Sequence, residues 1–232
     1  MVLKKKLLVG ALAAGLAIAV SGGTALAVNK VCPESGACRG TQQADGLTGT
    51  NGVNKIIGLG GNDVVYGYGA DDKINGGPGD DFLRGDDGND AIQGRAGLDS
   101  LIGSKGNDTL TGDAEADAPG TDNVAGGPGN DLGYGGPGND ILGNIVFGST
   151  TVTDRGRDQL FGGSGNDRFY AVDGFRDTID CGPDEDTAYV DSLDVANETC
   201  ENVFVKEDRS TASGSFPVAG RAELPAGTRA VR

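Results

Sequence analysis

Asp63, Asp72, Asp81, Asp90, Asp99 and Asp108 recur every nine residues among glycines. Carboxylates at so regular a spacing can ligate cations or simply face solvent. From Gly58 the chain divides as GLGGNDVVY, GYGADDKIN, GGPGDDFLR, GDDGNDAIQ, GRAGLDSLI and GSKGNDTLT, ending at Thr111, with aspartate in the sixth place each time. The eighth place holds Val65, Ile74, Leu83, Ile92, Leu101 and Leu110. Six consecutive agreements at both places argue for a repeat and against an acidic disordered linker, which needs no register. Carboxylate oxygens are hard donors, and a flexible site of six to eight oxygens suits Ca²⁺ better than the tight octahedron of Mg²⁺.

The period extends beyond this block with less fidelity. Upstream, GTQQADGLT from Gly40 keeps Asp45 and Leu47, while GTNGVNKII from Gly49 has Asn54 in the acidic place. Downstream, Gly112 to Ala125 is one unit carrying a five-residue insertion, with Asp122 and Val124 in register. GGPGNDLGY and GGPGNDILG supply Asp131 and Asp140, although Gly133 leaves the first without an apolar residue. Asn144 to Val152 has lost the motif, and TDRGRDQLF and GGSGNDRFY restore it with Asp158 and Asp167. Units at Ala171 and Cys181 close the array with Asp177 and Asp186.

The elements that must position these carboxylates follow from the unit. Each pairs a glycine turn with a run long enough only for a short strand. Glycines in the first and fourth places are expected to take positive φ and turn the chain tightly, carbonyls inward. Two units then make one coil, and residues 18 apart stack. One edge would stack Asp63, Asp81 and Asp99, and the other Asp72, Asp90 and Asp108. Asp140 and Asp158 are expected to continue the first edge, with Asp131 and Asp167 parted by the degenerate unit. Eighth-place side chains would form a thin apolar ladder. Stacked strands lie about 4.8 Å apart, so neighbouring carboxylates would repel by about 3 kcal/mol at an effective dielectric of 20. With two core side chains per coil, such a fold depends on a cation.

The units resemble the RTX (repeats-in-toxin), or hemolysin-type, calcium-binding repeats, whose pattern is G-G-x-G-x-D-x-apolar-x. Gly76 to Arg84 fits it at every defined place, as does Gly135 to Gly143, and the likeness spans roughly residues 40–180. It implies an all-β fold, a parallel β-roll or β-solenoid with two nonapeptides per coil, holding several calcium ions between successive turns. It also implies that the metal ligands are Asp63, Asp72, Asp81, Asp90, Asp99, Asp108, Asp131, Asp140, Asp158 and Asp167, aided by carbonyls of the glycine turns. Ala70, Asn54 and Gln43 depart from the pattern and weaken the sites at their turns.

The rest of the chain frames this array. Residues 1–27 read as a signal peptide: Lys4 to Lys6, the apolar run Leu7 to Val20, then an A-x-A end at Ala25 and Ala27. That run is shorter than the roughly 20 residues needed to span a bilayer, so a secreted or cell-surface protein without stable membrane insertion is expected. Residues 28–39 form an N-terminal segment with Cys32 and Cys38; residues 181–205 a capping segment with Cys181 and Cys200; residues 206–232 a disordered tail. An oxidising compartment suits two local disulfides, Cys32 with Cys38 and Cys181 with Cys200, among the three connectivities that four cysteines allow.

A net charge of −15 excludes nucleic acid and anionic lipid as partners and favours cations. The chain has no histidine, no G-x-S-x-G elbow and no P-loop lysine, which argues against an enzyme. Acid pairs such as Asp80 and Asp81 imitate glycosidase carboxylates, but their repetition reads better as ligand and solvated charge. Asp80, Asp86 and Asp87 are off the register and expected to be turn-forming or solvated. A calcium-rigidified adhesin or polysaccharide-binding rod is the alternative to a free calcium binder. Tyr66, Tyr68 and Phe82 are expected to serve strand packing.

Overall fold

A computed structural model describes residues 27–34, 37–114, 119–143, 146–147, 150–151, 154–206 and 228–231. The leader expected over residues 1–27 lies outside these except for Ala27, as does the tail expected over residues 206–232 except for Lys206 and Thr228–Val231. Every element among the described residues is a strand, none longer than six residues. The short runs allow no more: glycine turns interrupt them every nine residues.

Successive strands alternate between two sheets. Gly46–Thr50, Val64–Gly69, Phe82–Asp87 and Ser100–Lys105 belong to an eleven-stranded sheet; Lys55–Ile57, Lys73–Asn75, Ala91–Gln93 and Thr109–Thr111 belong to a nine-stranded one. Neighbours within each sheet are parallel and 18 residues apart in this block, with Val65 opposite Leu83 and Leu83 opposite Leu101. The expected all-β parallel β-solenoid, two nonapeptides per coil, is therefore the fold.

Between the sheets run two apolar ladders. Leu47, Val65, Leu83, Leu101, Val124, Leu142 and Phe169 descend one sheet, and Ile56, Ile74, Ile92, Leu110, Leu160 and Ile179 the other, all buried. Gly133 breaks the second ladder, and a Cβ there would lie 3.2 Å from Leu160 and 3.3 Å from Val124, whose side chains close over the gap. Each end of the core carries a disulfide, Cys32–Cys38 and Cys181–Cys200, which is the local pairing. Each joins a residue beside one sheet to a residue beside the other, stapling the terminal coils.

The interruptions lengthen the register step. The five extra residues after Gly112 stretch one register step to 23, Leu101 still facing Val124. Within the degenerate unit, Val146–Phe147 and Thr150–Thr151 pair antiparallel with each other and with neither main sheet, and the ladder resumes with Leu142 opposite Phe169, 27 residues on. This corrects the expected course of the edges. Because the register step here is 27 and not 18, Asp158 falls on the edge of Asp131, and Asp167 on that of Asp140.

Turn geometry also differs from expectation. Positive φ belongs to the second and fourth places, not the first: Gly77, Gly127 and Gly136 at the second, Gly79, Gly97 and Gly138 at the fourth. Non-glycines hold the second place elsewhere, Leu59 at φ 91° and Arg95 at φ 94° among them. The first-place glycines are required by close approach, as the candidate sites show.

At the C-terminus, Thr187–Asp191, Val195–Ala196 and Asn202–Lys206 add further strands to both sheets. Thr228–Val231 pairs antiparallel with Asn202–Lys206 at the last edge of the larger sheet. On the outer face Tyr66 packs against Phe82, ring centroids 6.0 Å apart, whereas Tyr68 stands half exposed near the end of its strand.

Candidate metal sites along two edges

The sixth-place aspartates are buried, none of Asp63, Asp72, Asp81, Asp90, Asp99, Asp108, Asp131, Asp140, Asp158 and Asp167 exceeding 4 % exposure. They stand at the entry to each strand, where the turn points the side chain along the solenoid axis. Their first oxygens follow one rule. Oδ1 accepts the backbone N–H of the stacked residue one coil earlier, from Asp45 to Asp63 and from Asp63 to Asp81 at 2.8 Å, and from Asp72 to Asp90 at 2.8 Å.

These hydrogen bonds trace both edges through the interruptions. One runs Asp45, Asp63, Asp81, Asp99, Asp122, Asp140, Asp167 and Asp186. The other runs Asn54, Asp72, Asp90, Asp108, Asp131, Asp158, Asp177 and Asp194. All ten sequence-predicted residues lie on them. Sequence reasoning placed Asp45, Asp122, Asp177 and Asp186 on the register without naming them as ligands, and their burial puts them on the same footing. Asp194 was missed, since the spacing near it has drifted from 18 to 17.

The second oxygens are different. Oδ2 of Asp63, Asp72, Asp81, Asp90, Asp99, Asp108, Asp122, Asp131, Asp140, Asp167 and Asp186 is buried with no hydrogen-bond partner. Leaving one buried carboxylate oxygen unsatisfied is costly, and a repeated set of them indicates a missing ligand. Each except Asp186, whose unit begins with Cys181, faces the first-place glycine of its own unit. A Cβ on Gly58 would overlap Asp63 Oδ2 and the carbonyl oxygen of Gly76; one on Gly67, Asp72 Oδ2 and the Gly85 carbonyl. Only a missing side chain leaves room for this convergence of carboxylate and carbonyl oxygens. The donor set is all oxygen, anionic and repeated, and it fits a hard divalent cation.

Burial also disturbs titration. Desolvation, the largest cause, raises the carboxyls from 3.8 to about 6 at Asp63, Asp90 and Asp140, to about 7 at Asp72, Asp99 and Asp108, and to about 8 at Asp81, Asp131 and Asp167. Asp158 is raised as well, again chiefly by burial. Backbone hydrogen bonds from the preceding coil oppose the rise, and stacked aspartates add to it, as Asp99 and Asp63 do at Asp81. Without a cation the edges thus hold protons that free aspartates would release.

A second ladder lies outside the first. Fifth-place side chains accept N–H groups from the following coil: Asp71 from Asn89, Asn89 from Asn107, and Asn107 from Asn130, each at 2.8 Å. Asp80 belongs to it, accepting from Leu98 at 3.1 Å, so it is a strut between coils and not a merely solvated charge. Asp86 and Asp87 instead pair with Arg84 and Lys105, at 2.6 and 2.8 Å. The signal for this ladder was present as Asn or Asp in the fifth place of most units.

A parallel β-solenoid whose two edges carry stacked, oxygen-lined turns is the architecture of a calcium-binding β-roll. The family model of the RTX calcium-binding nonapeptide repeat matches in four copies, residues 48–83, 84–119, 118–142 and 152–176, and the chain belongs to that family. The matches leave out residues 143–151, which take in most of the unit that has lost the motif. No match was found among curated proteins or among solved structures. No helix among the described residues is long and apolar enough to cross a membrane.

Proposed function

We propose that this chain is a secreted, non-catalytic structural module whose β-roll forms when calcium is bound along both edges, with the ten predicted aspartates as ligands, joined by Asp122, Asp177 and Asp186. The reading rests on the buried, unpartnered Oδ2 oxygens repeated from coil to coil. A bound cation would supply the positive charge that lets these carboxylates stay ionised and stacked. The chain's own contribution is geometric: Oδ1 is held by the preceding coil, Oδ2 is left free, and the first-place glycine leaves space beside it. Since those positions converge only when two coils are stacked, binding energy is folding energy. Millimolar to submillimolar affinity, as in extracellular modules, would keep the chain open before export and fold it outside the cell.

Far-ultraviolet circular dichroism of the purified chain, with chelator and then with millimolar calcium, tests this. A β spectrum should appear with calcium; identical spectra would refute the reading. A second role, calcium-rigidified attachment to surface polysaccharide, is favoured by one observation. Tyr170, Tyr189 and Phe204 stack along one face with ring centroids 5.2 and 5.3 Å apart, a surface on which sugar rings can lie. Calcium-dependent retention on cell-wall fractions, lost on replacing Tyr189 by serine, would support that role.

A further inference from the structure

The two long breaks in the nine-residue register, with steps of 23 and 27, each bring a third carboxylate to an edge. Asp99, Asp113 and Asp122 on one edge, and Asp131, Asp154 and Asp158 on the other, place one oxygen each so that all three lie within 4.8 Å of one another. All six residues are buried, Asp99 and Asp122 completely. Elsewhere along the edges the described residues bring no such trio together. Oδ2 of Asp99, Asp122 and Asp131 is buried without a hydrogen-bond partner, which marks both places as built for something beyond the protein's own donors.

The third carboxylate in both cases comes from the second place of a unit at an interruption: Asp113 in Gly112 to Ala125, which carries the insertion, and Asp154 in Thr153 to Phe161, which follows the degenerate unit. In the regular block the second place takes positive φ, and its aspartate, Asp86 at φ 77°, turns away to pair with Arg84. Asp113 is free of that conformation, is 2 % exposed, and accepts the Gly120 N–H at 2.6 Å, which fixes its carboxylate against Asp99 and Asp122. Asp154 and Asp158 share a hydrogen bond between their carboxyl groups.

We infer that the two register breaks create a pair of three-carboxylate cation sites, one on each edge, that bind calcium ahead of the two-carboxylate positions of the regular coils. The inference rests on the calcium-dependent reading above and adds an order of filling to it. Affinity in oxygen-donor sites follows the number of charged ligands and the rigidity of their support, and here one more carboxylate is held by a hydrogen bond. Tighter binding by about tenfold or more is expected at these two sites, with a preference for trivalent lanthanides over calcium that the other positions share less.

The test is calorimetric titration of the full chain with calcium chloride, alongside native mass spectrometry at low calcium. Two ions per chain should bind first as a separate tight class. Asp113→Asn and Asp154→Asn should each remove one of the two and the double variant both, whereas Asp87→Asn, at an exposed carboxylate paired with Lys105, should leave the tight class intact. A single class of sites in the native chain, or a tight class surviving the double variant, would overturn the inference while leaving calcium-dependent folding in place. A native chain that binds no calcium would overturn the earlier reading itself. Should the variants fail to fold, crystals of the native chain grown with two equivalents of terbium decide the matter. Anomalous peaks beside Asp113 and Asp154 support the assignment, and peaks confined to the regular coils reject it.

Discussion

The block from Gly58 to Thr111 and the stretch from Gly112 to Phe161 obey the same rules by opposite means. In the first, every residue has a counterpart 18 positions away, and sequence distance equals structural distance. In the second, register steps of 23 and 27 carry the same pairings, and the aspartate and apolar ladders continue across the surplus residues. The comparison teaches which constraints are strict. Sixth and eighth places must stay stacked, since their groups are buried between coils; the length of chain between them is free wherever the turn can open to solvent.

The largest effect that separates fold from ligand is pH. Carboxyls that titrate at 3.8 when free titrate at about 6 to 8 on the calcium-free edges, Asp122 and Asp177 at about 8 included. Below about pH 4 both folded and unfolded chains hold these protons, and burial carries no charge penalty. As pH rises through 4 to 8 the unfolded chain ionises first, and the calcium-free fold loses stability. Acidifying a chelator-treated sample from pH 7.5 to 4 should therefore increase β structure by circular dichroism; a loss of structure on acidification would contradict the burial of these groups.

Glycine substitutions come next. Gly79 has φ 140°, and a Cβ there would strike the Gly61 carbonyl, while Gly174, at φ 90° in the irregular region, has nothing within 4 Å. Gly79→Ala should destabilise the calcium-bound chain by about 3 kcal/mol or more, and Gly174→Ala by about 1 kcal/mol. Equal effects in urea titrations would show that coil-to-coil contact is not what requires glycine.

The apolar ladders sharpen the contrast further. Leu83 is fully buried between equivalent neighbours, and Leu83→Ala should cost about 3 kcal/mol. Gly133 sits where Leu160 and Val124 already lean into its space, so Gly133→Ala should shift stability by less than about 1 kcal/mol. The smallest effect belongs to the degenerate unit. Deleting residues 144–152 turns the step of 27 into one of 18, and the midpoint of thermal unfolding should move by only a few degrees, in keeping with a loop-closure change of about 1 kcal/mol. Collapse of the fold on this deletion would mean that the hairpin is part of the coil after all.

How far the molecule was legible can be argued from single residues. Asp81 and Leu83 disclosed their period, their sheet faces and their partners 18 residues away, because in a solenoid the strongest contacts are repeated at a fixed sequence distance. Asp158 disclosed its period but not its edge. Nothing in the spacing of Asn144 to Val152 says whether a weak unit keeps its place or leaves, since that turns on whether its side chains find partners in the stack. The positive φ of Leu59 and Arg95 was hidden for a related reason: neighbouring coils hold a non-glycine in a conformation its own preferences oppose.

The sequence by itself determined the all-β class, the two-unit coil, the apolar ladders and the acidic character of both edges, because all of these repeat and repetition is visible in one dimension. Tertiary structure alone decided which edge each later aspartate joins, that one oxygen of each carboxylate is spent on the preceding coil, and that Asp113 and Asp154 turn inward where the register breaks. Those outcomes depend on what is stacked above and below a residue, and stacking across an insertion is settled by packing in three dimensions.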